Sequence, residues 1–365
     1  MAVSWPRTSS VPCITLDYLT EAQKRAYVIA DNKLALNAGW DDDLLRVELE
    51  ELEGLDFDLE LTGFSLDEIE ALQVDPEPEE GLTDEDSVPE APDDPVTAEG
   101  DVWLLGNHRL MCGDSTNVNA MERVVGFHKA DMIFTDPPYG MSYGGGRSIS
   151  PGETDGTIKN FGMIKGDDLQ GDSLVALVRD ALASSIACTK DGAPLYACFT
   201  WRTYAEFEAS LEQLGREVKA CIVWDKKSIG LGNAHYRLQH EFIFYCGGQW
   251  FGDKSQSDVW YMSRGNTGAY IHPTQKPVEL IEKALENSSK SGDMVVDCFG
   301  GSGSTLIACE KLHRHARLME LDPKYCDVII KRWQEFTGKQ ATMESSGETF
   351  ENVASGKKSP SEAAT

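Results

Sequence analysis

The sequence predicts an α/β protein built on an open, mostly parallel sheet of seven strands covered on both faces, with a small helical module in front of it. Three observations predict this. Short apolar runs recur from residue 108 to residue 321, most of them separated by segments whose apolar residues follow helical spacing. The glycines and prolines that punctuate this region fall directly after several runs rather than inside them. Sheets of this kind bind ligands at the carboxyl ends of their strands, where the strand order reverses, so the residues just after each run are the candidates for chemistry.

In chain order, Thr20 can cap a helix reaching about Asn37, with Gly39 ending it, and a second periodic segment runs from Asp42 to Leu52. Ser65 and Glu68 then form a capping-box pattern before a short third helix. Residues 1–73 are expected to make the helical module. Residues 74–100 hold many acids, five prolines and almost no large apolar side chains, so the segment is expected to be a disordered linker. Strands are expected at 108–113, 131–135, 194–200, 219–225, 241–246, 294–299 and 316–321. Helices are expected at 172–187, 203–214, 278–289, 304–313 and 323–336. The fourth and fifth runs have no helix between them, which predicts an antiparallel pair. The sheet domain is thus placed at 101–338, and the Ser-, Gly- and Lys-rich residues 339–365 are expected to be a disordered tail.

Composition narrows the function classes. No apolar run approaches membrane-spanning length, and the first residues lack the basic-then-apolar pattern of a signal peptide. The nine cysteines include no CxxC pair, which argues against structural zinc and a disulfide framework and for reduced thiols in the cytoplasm; no metal site is expected. The net charge of −28 is lopsided: residues 1–101 carry 28 acidic and 5 basic residues, the remainder 33 and 28. The larger part is therefore near neutral and has room for a local basic groove.

Two strand ends carry chemistry. In "VVDCFGGSGST", a strand ending at Asp297 runs through Phe299 into Gly300, Gly301 and Gly303, where missing side chains permit a tight turn and close approach to a ligand. Glu320 ends the next strand, and a carboxylate there suits the two hydroxyls of a ribose. No GxxxxGK[ST] is present, so a phosphate-cradling loop is disfavoured. In "IFTDPPYG", Pro137 and Pro138 fix a rigid turn in which the Asp136 carboxylate and the Pro137 carbonyl are paired acceptors, suited to an NH₂ group with two hydrogens to donate. Tyr139 adds a flat face on which a base can stack.

"TDPPYG", followed later by "HPTQKP" (272–277) and "DCFGGSGST" (297–305), resembles the amino-group DNA methyltransferases, and the order of catalytic motif before cofactor motif resembles their permuted β group. The resemblance implies a seven-stranded Rossmann-like methyltransferase sheet and S-adenosylmethionine as cofactor. It places Asp297 and the turn Gly300–Gly303 at the methionine end of the cofactor, Phe299 among the residues that bind it, Glu320 on its ribose and Asp114 near its adenine. Thr274 and Lys276 would close over it. It implies methyl transfer to the N6 amino group of an adenine flipped out of double-stranded DNA, in a site-specific or relaxed manner, with Asp136, Pro137, Pro138 and Tyr139 as the catalytic turn. Cytosine N4 is the alternative, and an RNA or protein amino group a more remote one.

Two basic loops, 140–166 with Arg147 and 226–240 with Lys226, Lys227, Tyr236 and Arg237, are expected to hold the duplex. Only residues 247–271 are available for a target-recognition insert, so either sequence readout comes from these loops or specificity is short or relaxed. The N-terminal stretch "LTEAQKRAYVIADNKLALNAGWDDDLLRVELEEL" resembles the C-terminal part of ParB-like domains fused to methylases in phage and mobile elements. That implies a bacterial or phage-encoded cytoplasmic DNA-modification enzyme, with a homodimer left open. No nuclease motif is visible within the chain, so a stand-alone modifying enzyme is favoured over one with its restriction partner attached.

Overall fold

In the computed structural model, which describes residues 19–33, 42–55, 57–65, 68–69, 76–140, 166–229, 235–263 and 275–358, the chain divides into two units, Met1–Asp75 and Pro76–Thr365. The first unit contains helices α1 (Glu21–Lys33) and α2 (Asp42–Glu53) and a short 3₁₀ turn at Leu59–Thr62. The expected capping box forms at Ser65 and Glu68, and the expected Thr20 cap is a second one. The Gln23 amide donates to Thr20 Oγ1 while Gln23 Oε1 accepts the Thr20 amide, and Ser65 and Glu68 repeat the exchange. Leu45, Leu49, Leu52, Phe64 and Ile69 close with Ala26 and Ile29 into a separate small core.

The second unit is organised by one ten-stranded sheet. Its strands are β1 (Val102–Leu105), β2 (His108–Cys112), β3 (Met132–Thr135), β4 (Leu195–Phe199), β5 (Ala220–Asp225), β6 (His240–Tyr245), β7 (Val259–Tyr261), β8 (Met294–Asp297), β9 (His315–Glu320) and β10 (Thr342–Met343). They lie in the order β10-β1-β2-β9-β8-β3-β4-β6-β5-β7. The run β2-β9-β8-β3-β4 is parallel throughout. Strand β6 enters antiparallel between β4 and β5, so the expected hairpin forms and lies inside the sheet rather than at its edge. All seven expected strands are present. The three others, β1, β7 and β10, are short and lie at or next to the sheet edges, where two to four residues of pairing leave little periodic signal.

Helices α3 (Val118–Val125), α4 (Asp172–Ala187) and α5 (Tyr204–Gln213) pack on one face through residues such as Met121, Val178, Leu182 and Phe207. On the other face, α6 (Val278–Ser288), α7 (Ser304–Lys311) and α8 (Pro323–Thr337) bury Ile281, Leu285, Leu306, Ile329 and Trp333. Each of the two faces therefore has its own apolar layer, as a parallel sheet covered on both sides requires. Among the described residues no helix is long and apolar enough to cross a membrane, and no cluster of His, Cys, Asp and Glu forms a metal site.

Two segments expected to be disordered are ordered where they are described. Residues 76–100 form a strap with almost no regular structure that lies on the α6–α8 face. The Glu79 amide donates to Lys311 O (2.8 Å) and the Leu82 amide to Phe336 O (2.7 Å). Glu85 pairs with Lys311, its carbonyl accepts Arg332 Nη2 (2.7 Å), and the buried Asp327 carboxylate takes the Val96 and Thr97 amides at 2.6 and 2.9 Å. Low apolar content limits what a segment buries against itself; it does not limit docking on a surface already furnished with cations and backbone donors. At the other end, β10 extends the sheet and α9 (Phe350–Lys358) buries Phe350 edge-on against Trp103, 5.3 Å between ring centres. Residues 359–365 lie outside the described part.

Under the sheet, His108 Nδ1 accepts the Ala316 amide (2.9 Å), so Nε2 carries the proton and donates to Glu310 (2.7 Å). Burial pulls the His108 imidazole below its ordinary value. Against the opposite push of burial, His108, Lys339 and Trp333 hold the Glu310 carboxyl down to about 2. Both groups bind protons more readily in the unfolded chain, so the stability they contribute is complete above about pH 6.5 and declines as pH falls. His108→Ala is expected to cost about 2–4 kcal/mol at pH 8. The gap in Tm between variant and native protein should narrow steadily when calorimetry is repeated at lower pH toward 5.

Candidate active site at the reversal of strand order

From β3 the chain crosses through α4 to β4; from β8 it crosses through α7 to β9 on the opposite side. The order therefore reverses between β3 and β8, which pair at Met132↔Val295 and Ile133↔Val296, and a cleft opens at their carboxyl ends. Asp114, the turn Asp136–Tyr139, Lys276, Asp297, Phe299–Gly301 and Glu320 all line it. Gly303 follows as the left-handed residue preceding α7 (φ 84°), where a Cβ would come within 3.1 Å of Ile329. Thr274 and Arg147 lie outside the described residues.

Asp297 is buried at the end of β8 with both carboxylate oxygens engaged. Oδ1 accepts Thr135 Oγ1 (2.9 Å) and the Phe299 amide (3.0 Å), and Oδ2 accepts Thr305 Oγ1 (2.6 Å). Burial raises its carboxyl to about 7 despite these donors. Asp297 thus fastens the end of β3, the glycine turn and the first turn of α7 to one another. Glu320, one strand over, is oriented by two backbone donors, with the Gly301 amide on Oε2 and the Asp322 amide on Oε1, both 2.8 Å. Each oxygen retains a second lone pair. Burial raises this carboxyl to about 7 as well. Asp114 is turned on itself by the Thr116 amide and hydroxyl at 2.9 and 2.8 Å.

The donor set fits S-adenosylmethionine. Glu320 is pre-aimed for a pair of ribose hydroxyls, the glycine turn carries no side chain where a ligand must approach, and Phe299, Leu321 and Tyr325 supply apolar surface. The carboxylates of Asp114, Asp136 and Asp297 on the same walls suit a cationic sulfonium.

The turn Asp136–Tyr139 is more enclosed than its sequence suggests. Lys276, only 4% exposed, reaches Asp136 Oδ2 at 2.7 Å and Tyr139 OH at 2.8 Å, and Tyr139 OH donates to Asp136 Oδ1 at 2.7 Å. Burial raises the Asp136 carboxyl and Lys276 pulls against it. Burial also weakens the Lys276 ammonium, but Asp136 and Glu241 outweigh this and leave it above its ordinary range. Glu241 on β6 was not foreseen, yet it sits 3.2 Å from Lys276 and 3.4 Å from Tyr139 OH. Asp167 was also unforeseen and accepts the Tyr139 amide (3.0 Å), fixing the turn from the far side. A glutamate in a strand and an aspartate in a loop carry no motif, so only the fold identifies them. The Tyr139 ring meets Phe207 edge-on (6.4 Å between centres), so its polar tip and one side are already committed.

Of the residues expected on DNA, Lys227, Tyr236 and Arg237 are exposed, Tyr236 almost completely. Lys226 is not available as expected. It is buried, pairs with Glu241 and lies 5.2 Å from the centre of the Trp224 ring. A buried carboxylate between two lysines retains the nearer one, because an unpaired charge there is costly.

Because the ionised form of Glu320 offers the acceptors, cofactor affinity is expected to rise as pH passes upward through about 7 and then level off. Isothermal titration between pH 6 and 8.5 checks this. Glu320→Gln should bind about tenfold more weakly at pH 8 and lose most of the dependence.

The DNA methylase family of N6 and N4 enzymes matches residues 130–332, and the ParB-methyltransferase HTH domain matches residues 43–99. The type II methyltransferase M2.MboI of Moraxella bovis is 25% identical over 233 residues, 57% of this chain and 81% of that protein. M2.LlaDCHI of Lactococcus lactis subsp. cremoris is 26% identical, over 55% and 81% respectively. The crystal structure of the M1.HpyAVI–SAM complex shares 21% identity, covers 61% of this chain and 98% of its own, and superposes with a TM-score of 0.44. The family match takes in the DPPY turn, the lysine that grips it and the glycine turn alike: the chain belongs to the N6/N4 family of S-adenosylmethionine-dependent DNA methylases.

Proposed function

We propose that the enzyme methylates N6 of adenine in duplex DNA, with the base turned out of the stack into the cleft beside Asp136. The observation that carries this reading is the Asp136 carboxylate held beside the glycine turn by Lys276 and Tyr139. When bound, the cofactor supplies a methyl group made electrophilic by its sulfonium, so no nucleophilic side chain is required. Asp136 and the Pro137 carbonyl accept the two amine hydrogens and turn the nitrogen lone pair toward the methyl group. Positioning of that kind is worth several kcal/mol, on the order of 7–11 in favourable intramolecular cases.

For Asp136 to serve the amine, Lys276 must loosen its hold. Glu241 gives it a second acceptor 3.2 Å away, so the ammonium can shift without becoming an unpaired buried charge. The proton released by the methylated amine then passes to Asp136, whose burial already favours the protonated form. Asp rather than Ser before the two prolines favours adenine over cytosine, by resemblance to the family.

Asp136→Ala is expected to lower turnover by about 100-fold or more while leaving cofactor affinity within a few-fold. Stopped-quench assays and titration of the same preparation separate the two effects. Mass spectrometry of nucleosides from methylated DNA identifies the base: N6-methyladenine is expected, and N4-methylcytosine alone would overturn the assignment. Replacing exposed Lys227 and Arg237 by Ala should weaken DNA binding roughly uniformly across sequences and reduce the salt slope by about 1 to 2.

A further inference from the structure

We propose that Asp86, in the acidic strap, is a positioning residue for Lys276, so that a segment outside the matched methylase region completes the active site. The proposal rests on the role given to Lys276 above. Lys276 stands immediately before α6, and the residue at the cap of that helix is Pro277, which provides no side-chain acceptor for the helix's first amide groups. Asp86 provides one from far along the chain: its Oδ1 accepts the Val278 amide at 3.0 Å. Its own carbonyl accepts Gln275 Nε2 at 2.8 Å. The residues on both sides of the Lys276–Pro277 pair are thus tied to a single strap residue. An anionic cap at a helix N-terminus is also favoured by the helix dipole.

The remaining tether on Lys276 comes from the cofactor side, where Ser304 Oγ donates to its carbonyl at 2.9 Å. Arg332 joins the two supports, with Nη1 3.2 Å from Ser304 Oγ and Nη2 donating to Glu85 O at 2.7 Å. Held in this way, the lysine backbone delivers Nζ to 2.7 Å from Asp136. A side chain with four rotatable bonds keeps such a distance only if its base is fixed. Asp86 also lies within the part of the chain that matches the ParB-methyltransferase HTH domain, residues 43–99. That match crosses the boundary at Asp75 between the two units, and its last residues belong structurally to the catalytic unit.

The test uses the full-length protein, duplex DNA and S-adenosylmethionine. Asp86→Ala is expected to reduce kcat about tenfold with KM for DNA within threefold of native, and Asp86→Asn, which keeps an acceptor at the cap, to recover most of the loss. Lys276→Met should itself impair turnover, and adding Asp86→Ala to it should cost less than a further twofold, because both changes act through one group. Unchanged kcat in Asp86→Ala, or losses that multiply in the double variant, would overturn the proposal alone. Native turnover in Lys276→Met would overturn the role of Lys276 and this proposal with it. Hydrogen exchange on the unaltered protein gives a check that needs no variant to fold: the Val278 amide should be protected, and exchange at the rate of an open amide would contradict the cap.

Discussion

A single buried carboxylate sets the geometry on which the rest of the active site depends. Asp297 accepts hydrogen bonds from Thr135 at the end of β3, from Phe299 in the glycine turn and from Thr305 in the first turn of α7. Thr135 precedes Asp136, so the same carboxylate that anchors the glycine turn also anchors the DPPY turn. The two strands pair through only two register positions at this point, too few for backbone bonding alone to hold their ends in alignment. Three donors offset part of the cost of burying this carboxyl, whose burial still raises it to about 7, and removing any one of them would leave a costly acceptor behind.

Around this anchor the site is arranged as a chain of shared charges. Glu241 lies between Lys226 and Lys276, and Asp136 between Lys276 and the Tyr139 hydroxyl. Two lysines and two carboxylates balance one another in this buried cluster, and Lys276 has an acceptor in both Asp136 and Glu241. A fixed ion pair would bind a base no better than a closed door. A lysine with two acceptors within reach can release one and keep the other.

The parts of this architecture that repeat or punctuate are legible in the sequence. Parallel strands buried on both faces read as apolar runs, and the DPPY and glycine turns are conspicuous because Pro and Gly have few other reasons to cluster at strand ends. What is not legible depends on partners distant in sequence. Glu241 follows His240 at the head of a strand whose other residues are aromatic or aliphatic, and Lys226 looks like any loop lysine until Glu241 is placed beside it. The acidic strap is the clearest case. Its composition describes a chain that cannot fold alone, and its order comes from Lys311, Arg332 and Asp327, more than 200 residues away. Gly81 shows how closely it is fitted, since any Cβ there would overlap the Phe336 ring.

The pairing of β3 with β8 has a consequence for how the molecule comes into being. Thr135 and Asp297 are 162 residues apart, so during synthesis the catalytic turn leaves the ribosome long before the strand that must lie against it exists. Contacts of such long range form late, after the costly closure of the intervening chain. A nascent fragment that stops before β8 therefore carries the DPPY turn without the glycine turn opposite it, and the two sides of the cleft meet only once β8 has been made.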